Sequence, residues 1–162
     1  MIEFLKLFEY DEYDEYDPLE ELDLHSEAIS GDFYHGSGCE EGEDPFEDFD
    51  MDWTEWGAVW LTNEKYIAVE FATGYREPPK AFVHTVRLTE PLTVCRIDIS
   101  DFEQMQMEFG IDDLREMIPH LEGKYDGWVT TGAIGMNQYE DYAIFNADKL
   151  RIVDTEEIPT NY

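Results

Sequence analysis

The sequence is poor in basic residues and has no long apolar run. Ten Lys and Arg stand against forty Asp and Glu, which gives a formal net charge of −30. Nucleic acids and anionic membranes repel such a chain, so we expect no direct binding to either. No run approaches the roughly 20 apolar residues that span a bilayer. The first residues also lack a signal peptide's basic start and cleavage site. We therefore expect a cytoplasmic protein.

Cysteine is scarce, and neither the cysteines nor the acidic residues occur in the pattern of a metal site. Cys39 and Cys95 form neither a disulfide framework nor a metal spacing. The alternating aspartates of segment 48–52 resemble the start of a calcium-binding EF-hand loop. However, Trp53 stands where that loop needs Gly, and Val59 where it needs a bidentate Glu. We predict two reduced thiols and no metal site.

The chain has enough apolar residues for one domain, but its charge is unevenly distributed. Hydrophobic residues make up 43% of 162 and aromatics 15%, which suits a packed core. Residues 1–60 hold 21 acids and one base, and residues 61–162 hold 19 acids and nine bases. The triplet Glu-Tyr-Asp occurs three times within 9–17, a low-complexity repeat. We divide the chain into a partly irregular acidic segment, 1–30, and one domain, 31–162, with an acidic insertion at 40–55.

Hydrophobic periodicity predicts mixed strands and helices. Asn63 has a side chain suited to a helix N-cap, and Gly74 is a residue type that commonly ends a helix. A helix break is also expected near Gly110. Because no βαβ rhythm appears, we expect an α+β fold with a mainly antiparallel sheet. The predicted strands are a strand reaching His35, then 56–62, 80–88, 92–99, 125–131, 139–145 and 149–154, with helices within 64–74 and 101–121.

Three segments taken in order resemble a known family. They are "FYHGSG" (33–38), "AVWLTNEKYIAVEFA" (58–72) and "YEDYAIFNADKLRIV" (139–153). They are similar to the His-Gly, aromatic-strand and Glu-Tyr motifs of the ADP-ribosyltransferases of the diphtheria-toxin and poly-ADP-ribose-polymerase type (His-Tyr-Glu type). The resemblance implies an ADP-ribosyltransferase-like fold with a split, mainly antiparallel sheet, flanking helices and NAD as substrate.

The resemblance also implies a set of NAD-binding residues. His35 would hydrogen-bond the adenosine-side ribose, and the Gly36 backbone would bind the nicotinamide carboxamide, which requires close approach. Ser37 would assist, and Thr62 would join the same set. Trp60 takes the family's Tyr position and would stack on the cationic nicotinamide, for which an indole face is well suited.

The family's catalytic Glu holds the nicotinamide-ribose 2′-hydroxyl and activates the acceptor. Asp141 occupies that position and is one methylene shorter, and misplacement by about 1 Å can cost on the order of 100-fold in rate. Glu140 is adjacent, but successive strand residues face opposite sides of a sheet. Glu140 could take the role only if a bulge shifted the register.

Two functions from different classes follow. The first is an NAD-dependent mono-ADP-ribosyltransferase, such as a phage or bacterial effector that modifies host or defence proteins. The alternative is a catalytically degenerate acidic protein of the same fold that inhibits a nucleic-acid-binding partner by nucleic-acid mimicry. In both, the partner is a basic protein attracted by the negative field. The enzyme is favoured because several independent motifs occur in order.

Overall fold

The computed structural model describes residues 24–40, 42–54, 57–74, 80–134 and 136–159. Within them, eight strands form one sheet and three α-helices flank it. The strands are β1 (His25–Ile29), β2 (Asp32–Cys39), β3 (Val59–Thr62), β4 (Lys80–Leu88), β5 (Leu92–Arg96), β6 (Gly127–Ile134), β7 (Asn137–Ile144) and β8 (Leu150–Ile158). The helices are α1 (Lys65–Gly74), α2 (Ile99–Phe109) and α3 (Ile118–Leu121).

The strand order across the sheet is β1-β5-β6-β7-β3-β2-β4-β8. In the described residues β5 and β6 run parallel, and the other neighbouring strands run antiparallel. The protein is thus a mixed α+β fold with a large, mostly antiparallel sheet, which confirms the class predicted from the sequence. None of the described helices is both long and apolar enough to cross a membrane.

The sheet is nearly divided between β2 and β3. Among the described residues these strands share one registered pair, Tyr34 with Thr62. By contrast, β2 pairs with β4 through eight residues and β3 with β7 through four. We call β1, β5, β6, β7 and β3 the five-strand part and β2, β4 and β8 the three-strand part. The boundary between them leaves backbone groups of both strands outside the hydrogen-bonded ladder.

A core cluster draws buried side chains from both parts of the sheet. Phe33 and Val86 come from the three-strand part, and Leu61 and Ile144 come from the five-strand part. The Phe33 ring packs edge-on against Tyr142 at 4.8 Å between centroids. Burial of this apolar surface holds the two parts together where their hydrogen bonding is sparse.

A second cluster lies where α2 and α3 cover β5 and β6. It includes Met105, Leu121 and Trp128, each fully buried. A capping box at Asp98 begins α2, so β5 ends at Arg96 rather than at the predicted residue 99. The predicted break near Gly110 is confirmed, since Gly110 ends α2 with φ of 64°.

Helix α1 packs directly on β2 because Gly36 has no side chain. A Cβ atom on Gly36 would lie 2.0 Å from the Ala68 carbonyl oxygen and 2.9 Å from the Ala72 nitrogen. Ile67, Ala68 and Ala72 form the buried side of α1. The glycine therefore fixes the distance between α1 and the three-strand part.

The structure differs from the sequence predictions near the N-terminal side. Residues 25–29, placed by composition in the partly irregular acidic segment and not predicted as a strand, form β1 and pair with β5. Glu27 is neutralised there by Arg96 at 2.8 Å, which lets an acidic segment form an edge strand. The Glu-Tyr-Asp repeat lies outside the described residues. In the acidic insertion, residues 42–54 form a loop with one short 3-10 turn, Met51–Trp53.

Candidate functional site

A cavity opens where the sheet is divided. Its volume is about 330 Å³, and we call it the cleft cavity. Strands from both parts of the sheet and helix α1 contribute to its wall. The lining residues are Tyr34, His35, Gly36, Trp60, Leu61, Thr62, Phe71 and Asp141.

Two aromatic side chains line the cleft cavity from different elements. Trp60 is on β3, and its ring is supported by an edge-to-face contact with Trp128 at 5.7 Å. Phe71 is on α1 and keeps 38% of its surface exposed. Rings of this kind bind flat heterocycles, and their faces attract cations.

Asp141 brings a carboxylate to the same cavity. In the β3–β7 ladder it pairs with Thr62, and Trp60 pairs with Ala143, so Asp141 and Trp60 share a face of the sheet. Burial raises the pKa of Asp141 to about 6, because a desolvated carboxylate is disfavoured. The group is still mostly ionised at pH 7.

Glu140 lies on the opposite face, outside the cleft cavity. Its carboxylate accepts hydrogen bonds from both Arg96 terminal nitrogens, at 3.0 and 3.1 Å. The same guanidinium binds Glu27 at 2.8 and 3.0 Å, which ties together β1, β5 and β7. The β6–β7 register continues without a shift through Glu140. No bulge therefore turns Glu140 toward the cavity.

His35 stands at the boundary of two cavities. Its Nδ1 lies 2.7 Å from the Trp60 carbonyl oxygen. Because a carbonyl only accepts, Nδ1 carries the proton and the neutral ring keeps Nε2 as an acceptor. Burial lowers the pKa of His35, so the ring is neutral at pH 7. Phe46 and Phe49 pack edge-on against it at 5.9 and 5.1 Å.

The second cavity has a volume of about 1040 Å³ and lies under the acidic loop 42–54. We call it the loop cavity. His35 and Trp60 line both cavities, which makes them the link between the two. The loop contributes aromatic rings, carboxylates, a hydroxyl and the Met51 thioether to the wall. The lining residues are His35, Phe46, Asp48, Phe49, Asp50, Met51, Thr54, Ala58, Val59, Trp60, Asn146, Ala147 and Asp148.

Ser37 lines neither of the two cavities. Its hydroxyl is 2.8 Å from His84 Nε2, and His84 Nδ1 is 3.0 Å from the Thr155 hydroxyl. His84 is fully buried, and this burial lowers its pKa to about 4. Ser37 thus supplies a hydrogen bond to a neutral interior histidine, where the family resemblance implied contact with NAD.

Gly36 and Thr62 line the cleft cavity, but both also have structural tasks. The absence of a side chain at Gly36 is required by Ala68 of α1, independently of any ligand. The Thr62 hydroxyl accepts the Glu64 backbone N–H at 3.3 Å. Each residue therefore offers the cavity mainly its backbone.

Three residues that line the cleft cavity, Tyr34, Leu61 and Phe71, were not foreseen as site residues, and Asn63 next to Thr62 was foreseen only as a helix cap. Phe71 was expected only as part of the apolar face of a helix, and its packing over the cavity depends on the close contact of α1 with Gly36. Asn63 was expected to cap α1. Its side-chain oxygen instead accepts the Glu140 backbone N–H at 2.9 Å, a contact across 77 residues that no local pattern signals.

The described residues contain no group of three or more His, Cys, Asp or Glu side chains arranged to hold a metal ion. Burial raises the pKa of the Cys39 thiol, and the negative charge of the nearby Glu43 raises it further. Burial also raises the pKa of Cys95 to about 12. Neither cysteine is a thiolate nucleophile at neutral pH.

No protein-family model and no curated protein matches the chain. One similar solved structure is a chain of the Mycobacterium tuberculosis MbcT–MbcA toxin–antitoxin complex. The two chains share 11% sequence identity over 83% of this chain and 87% of that one, with a TM-score of 0.45. A likeness of this size identifies no family.

Proposed function

We propose that this protein is an NAD-dependent mono-ADP-ribosyltransferase. The observation that supports the proposal is the cleft cavity, where Trp60, Phe71 and the Asp141 carboxylate surround the β2 backbone at Gly36. A flat cationic ring, an adjacent sugar carrying developing positive charge and a carboxamide are the groups that such a wall would bind. The nicotinamide half of NAD carries all three.

The reaction requires the C–N bond between nicotinamide and ribose to break. Nicotinamide leaves with the bonding electron pair, the ribose carbon becomes oxocarbenium-like, and an acceptor nucleophile adds there and loses its proton. In this proposal Trp60 and Phe71 hold the ring. Asp141, ionised in the presence of a nearby cation, stabilises the positive sugar and orients its 2′-hydroxyl. These interactions are strongest in the transition state, as catalysis requires.

The loop cavity would hold the adenosine half of NAD. His35 lines both cavities, and its neutral Nε2 could accept a hydrogen bond from a ribose hydroxyl. The Phe46 and Phe49 rings beside it offer apolar faces for a purine. The acceptor in this proposal is a basic protein, because a chain with a net charge of −30 attracts basic surfaces. A host or defence protein modified by a phage or bacterial effector would be an example.

The first test is nicotinamide release from NAD by the purified full chain. We expect saturable NAD binding and turnover, a loss of about 100-fold or more in Asp141→Ala, and weakened binding in Phe71→Ala and His35→Ala. Tyr66→Ala is the matched control, because Tyr66 is an exposed aromatic on the same helix and lies outside the cavity lining. Absence of binding at millimolar NAD, or full turnover in Asp141→Ala, would overturn the proposal.

The alternative is an acidic inhibitor that mimics nucleic acid, and it is supported by the ion pairs of the basic side chains. Lys65, Arg87 and Lys149 are each ion-paired with carboxylates of the same chain, so these three bases do not neutralise the remaining excess of acids. Such inhibition would weaken steeply with salt and survive His35→Ala. Loss of inhibition in His35→Ala at constant salt would exclude it.

A further inference from the structure

Strand β3 ends beside Asp141, and Asn63 continues its contact with β7. The last registered pair of the two strands is Thr62 with Asp141. One residue further, the Asn63 side-chain oxygen accepts the Glu140 N–H at 2.9 Å, and the Asn63 N–H donates to the Glu140 carbonyl at 3.4 Å. Asn63 thus binds both backbone groups of the residue that precedes Asp141.

The Glu140 side chain is fixed independently of its backbone. Arg96 binds both of its carboxylate oxygens, and Arg96 also donates to Thr131 at 3.0 Å. The Arg96 and Glu140 side chains are each 28% exposed, so water screens their attraction less than at the open surface. Glu140 is therefore held from one face by Arg96 and along its backbone by Asn63.

We propose that Asn63 and Arg96 are positioning residues that fix the Asp141 carboxylate in the cleft cavity by anchoring Glu140. An aspartate side chain has two rotatable bonds, so its carboxylate follows its backbone closely. Beyond Thr62, β7 has β6 on one side and lacks a β3 partner on the other. Asp141 itself pairs with Thr62, but without the Asn63 side chain the backbone of Glu140, just before it, keeps toward β3 only the 3.4 Å bond from the Asn63 N–H. This inference rests on the proposed function, in which Asp141 acts on NAD.

The test measures two properties of the full chain, nicotinamide release and the titration of the Asp141 carboxyl carbon by NMR. Asn63→Ala removes the side-chain acceptor. Asn63→Asp keeps an accepting oxygen and serves as the conservative rescue. Arg96→Lys keeps the charge but loses the two-pronged contact with Glu140. Arg87→Ala is the matched control, since it removes another inter-strand arginine pair, with Asp32, away from the site.

We expect Asn63→Ala to lower kcat by about 10- to 100-fold with a smaller change in KM for NAD. The pKa of Asp141 should fall from about 6 toward the usual aspartate value near 3.9, because a looser strand admits water. Arg96→Lys should shift both properties in the same direction by less. Asn63→Asp should recover most of the rate, and Arg87→Ala should match wild type.

Asn63→Ala that unfolds at a lower temperature but keeps the wild-type kcat and Asp141 titration would overturn the inference, because a purely structural role predicts that result. If Asn63→Ala does not fold, Arg96→Lys decides the question by the same two readouts. Wild-type protein that releases no nicotinamide would overturn the proposed function. The Asp141 titration would then decide the positioning role by itself.

Discussion

The two sides of strand β3 differ in how they join the sheet. Toward β7, four registered pairs continue the ladder. Toward β2, one pair joins the strands, and the cleft cavity lies at that position. Among the described residues, this cavity thus lies where the ladder between neighbouring strands is interrupted, which leaves space between β2 and β3. The side with full pairing holds the backbone of β7 at Asp141, which pairs with Thr62.

The two adjacent acids of β7 repeat this contrast on a smaller scale. Glu140 faces Arg96 and ties three strands together, whereas Asp141 faces the cleft cavity and has its pKa raised by burial. Glu140 stabilises the fold, whereas the desolvated Asp141 carboxylate lowers the free energy of unfolding at pH 7. Groups that are strained or desolvated in this way are common at functional sites.

The largest effect is expected from adding a side chain at Gly36, where β2 packs directly on α1. In Gly36→Ala the new Cβ would meet the Ala68 carbonyl oxygen at 2.0 Å, so α1 must move away from the three-strand part. We expect a loss of about 3 kcal/mol in the free energy of unfolding, measured by urea denaturation. Gly74→Ala is the control, because nothing lies within 4 Å of its Cβ position. Equal stability of the two variants would contradict the proposed packing role.

The next effect separates the two acids of β7. Asp141→Asn should lose nicotinamide release by about 100-fold and yet gain on the order of 1 to 2 kcal/mol of stability at pH 7. The folded pKa of about 6 is above the unfolded value, so the protonated carboxyl contributes stability below about pH 4 that is lost as the pH rises through 6. The gain should therefore vanish at pH 4, as denaturation at both pH values can show.

Glu140→Gln is the matched variant for that experiment, and its change in the free energy of unfolding should have the opposite sign. Because it leaves Arg96 with one carboxylate fewer in a partly buried position, we expect a loss of about 1 to 3 kcal/mol at pH 7. If both variants changed stability in the same direction, the two faces of β7 would not differ as described.

The smallest effect concerns Ser37. Ser37→Ala leaves the buried His84 with one hydrogen bond fewer, which should lower stability by about 1 kcal/mol. NAD affinity, measured by calorimetry, should stay unchanged because Ser37 lines neither cavity. Thr155→Ala removes the other His84 contact and is the matched variant. A clear loss of NAD affinity in Ser37→Ala alone would contradict this expectation and support the role implied by the family resemblance.

The strands were well predicted where local pattern and tertiary environment agree. The β4 prediction, 80–88, matches Lys80–Leu88, and the β7 prediction, 139–145, overlaps Asn137–Ile144. Their apolar, β-branched and aromatic residues favour strands in any buried setting. Strand β1 was missed because its short polar sequence, with Glu27 inside it, signals no strand until Arg96, 69 residues away from Glu27, supplies the counter-charge.

Composition, hydrophobic pattern and the two-residue period of a strand were enough to predict the α+β class, the strongly negative charge and the opposite facing of Glu140 and Asp141. Three features depend on the assembled fold: Asp141 rather than Glu140 faces the cavity, Ser37 contacts His84, and Asn63 binds β7 instead of capping α1. Each of these depends on a partner far along the chain. Such a partner is brought near only when the sheet is assembled.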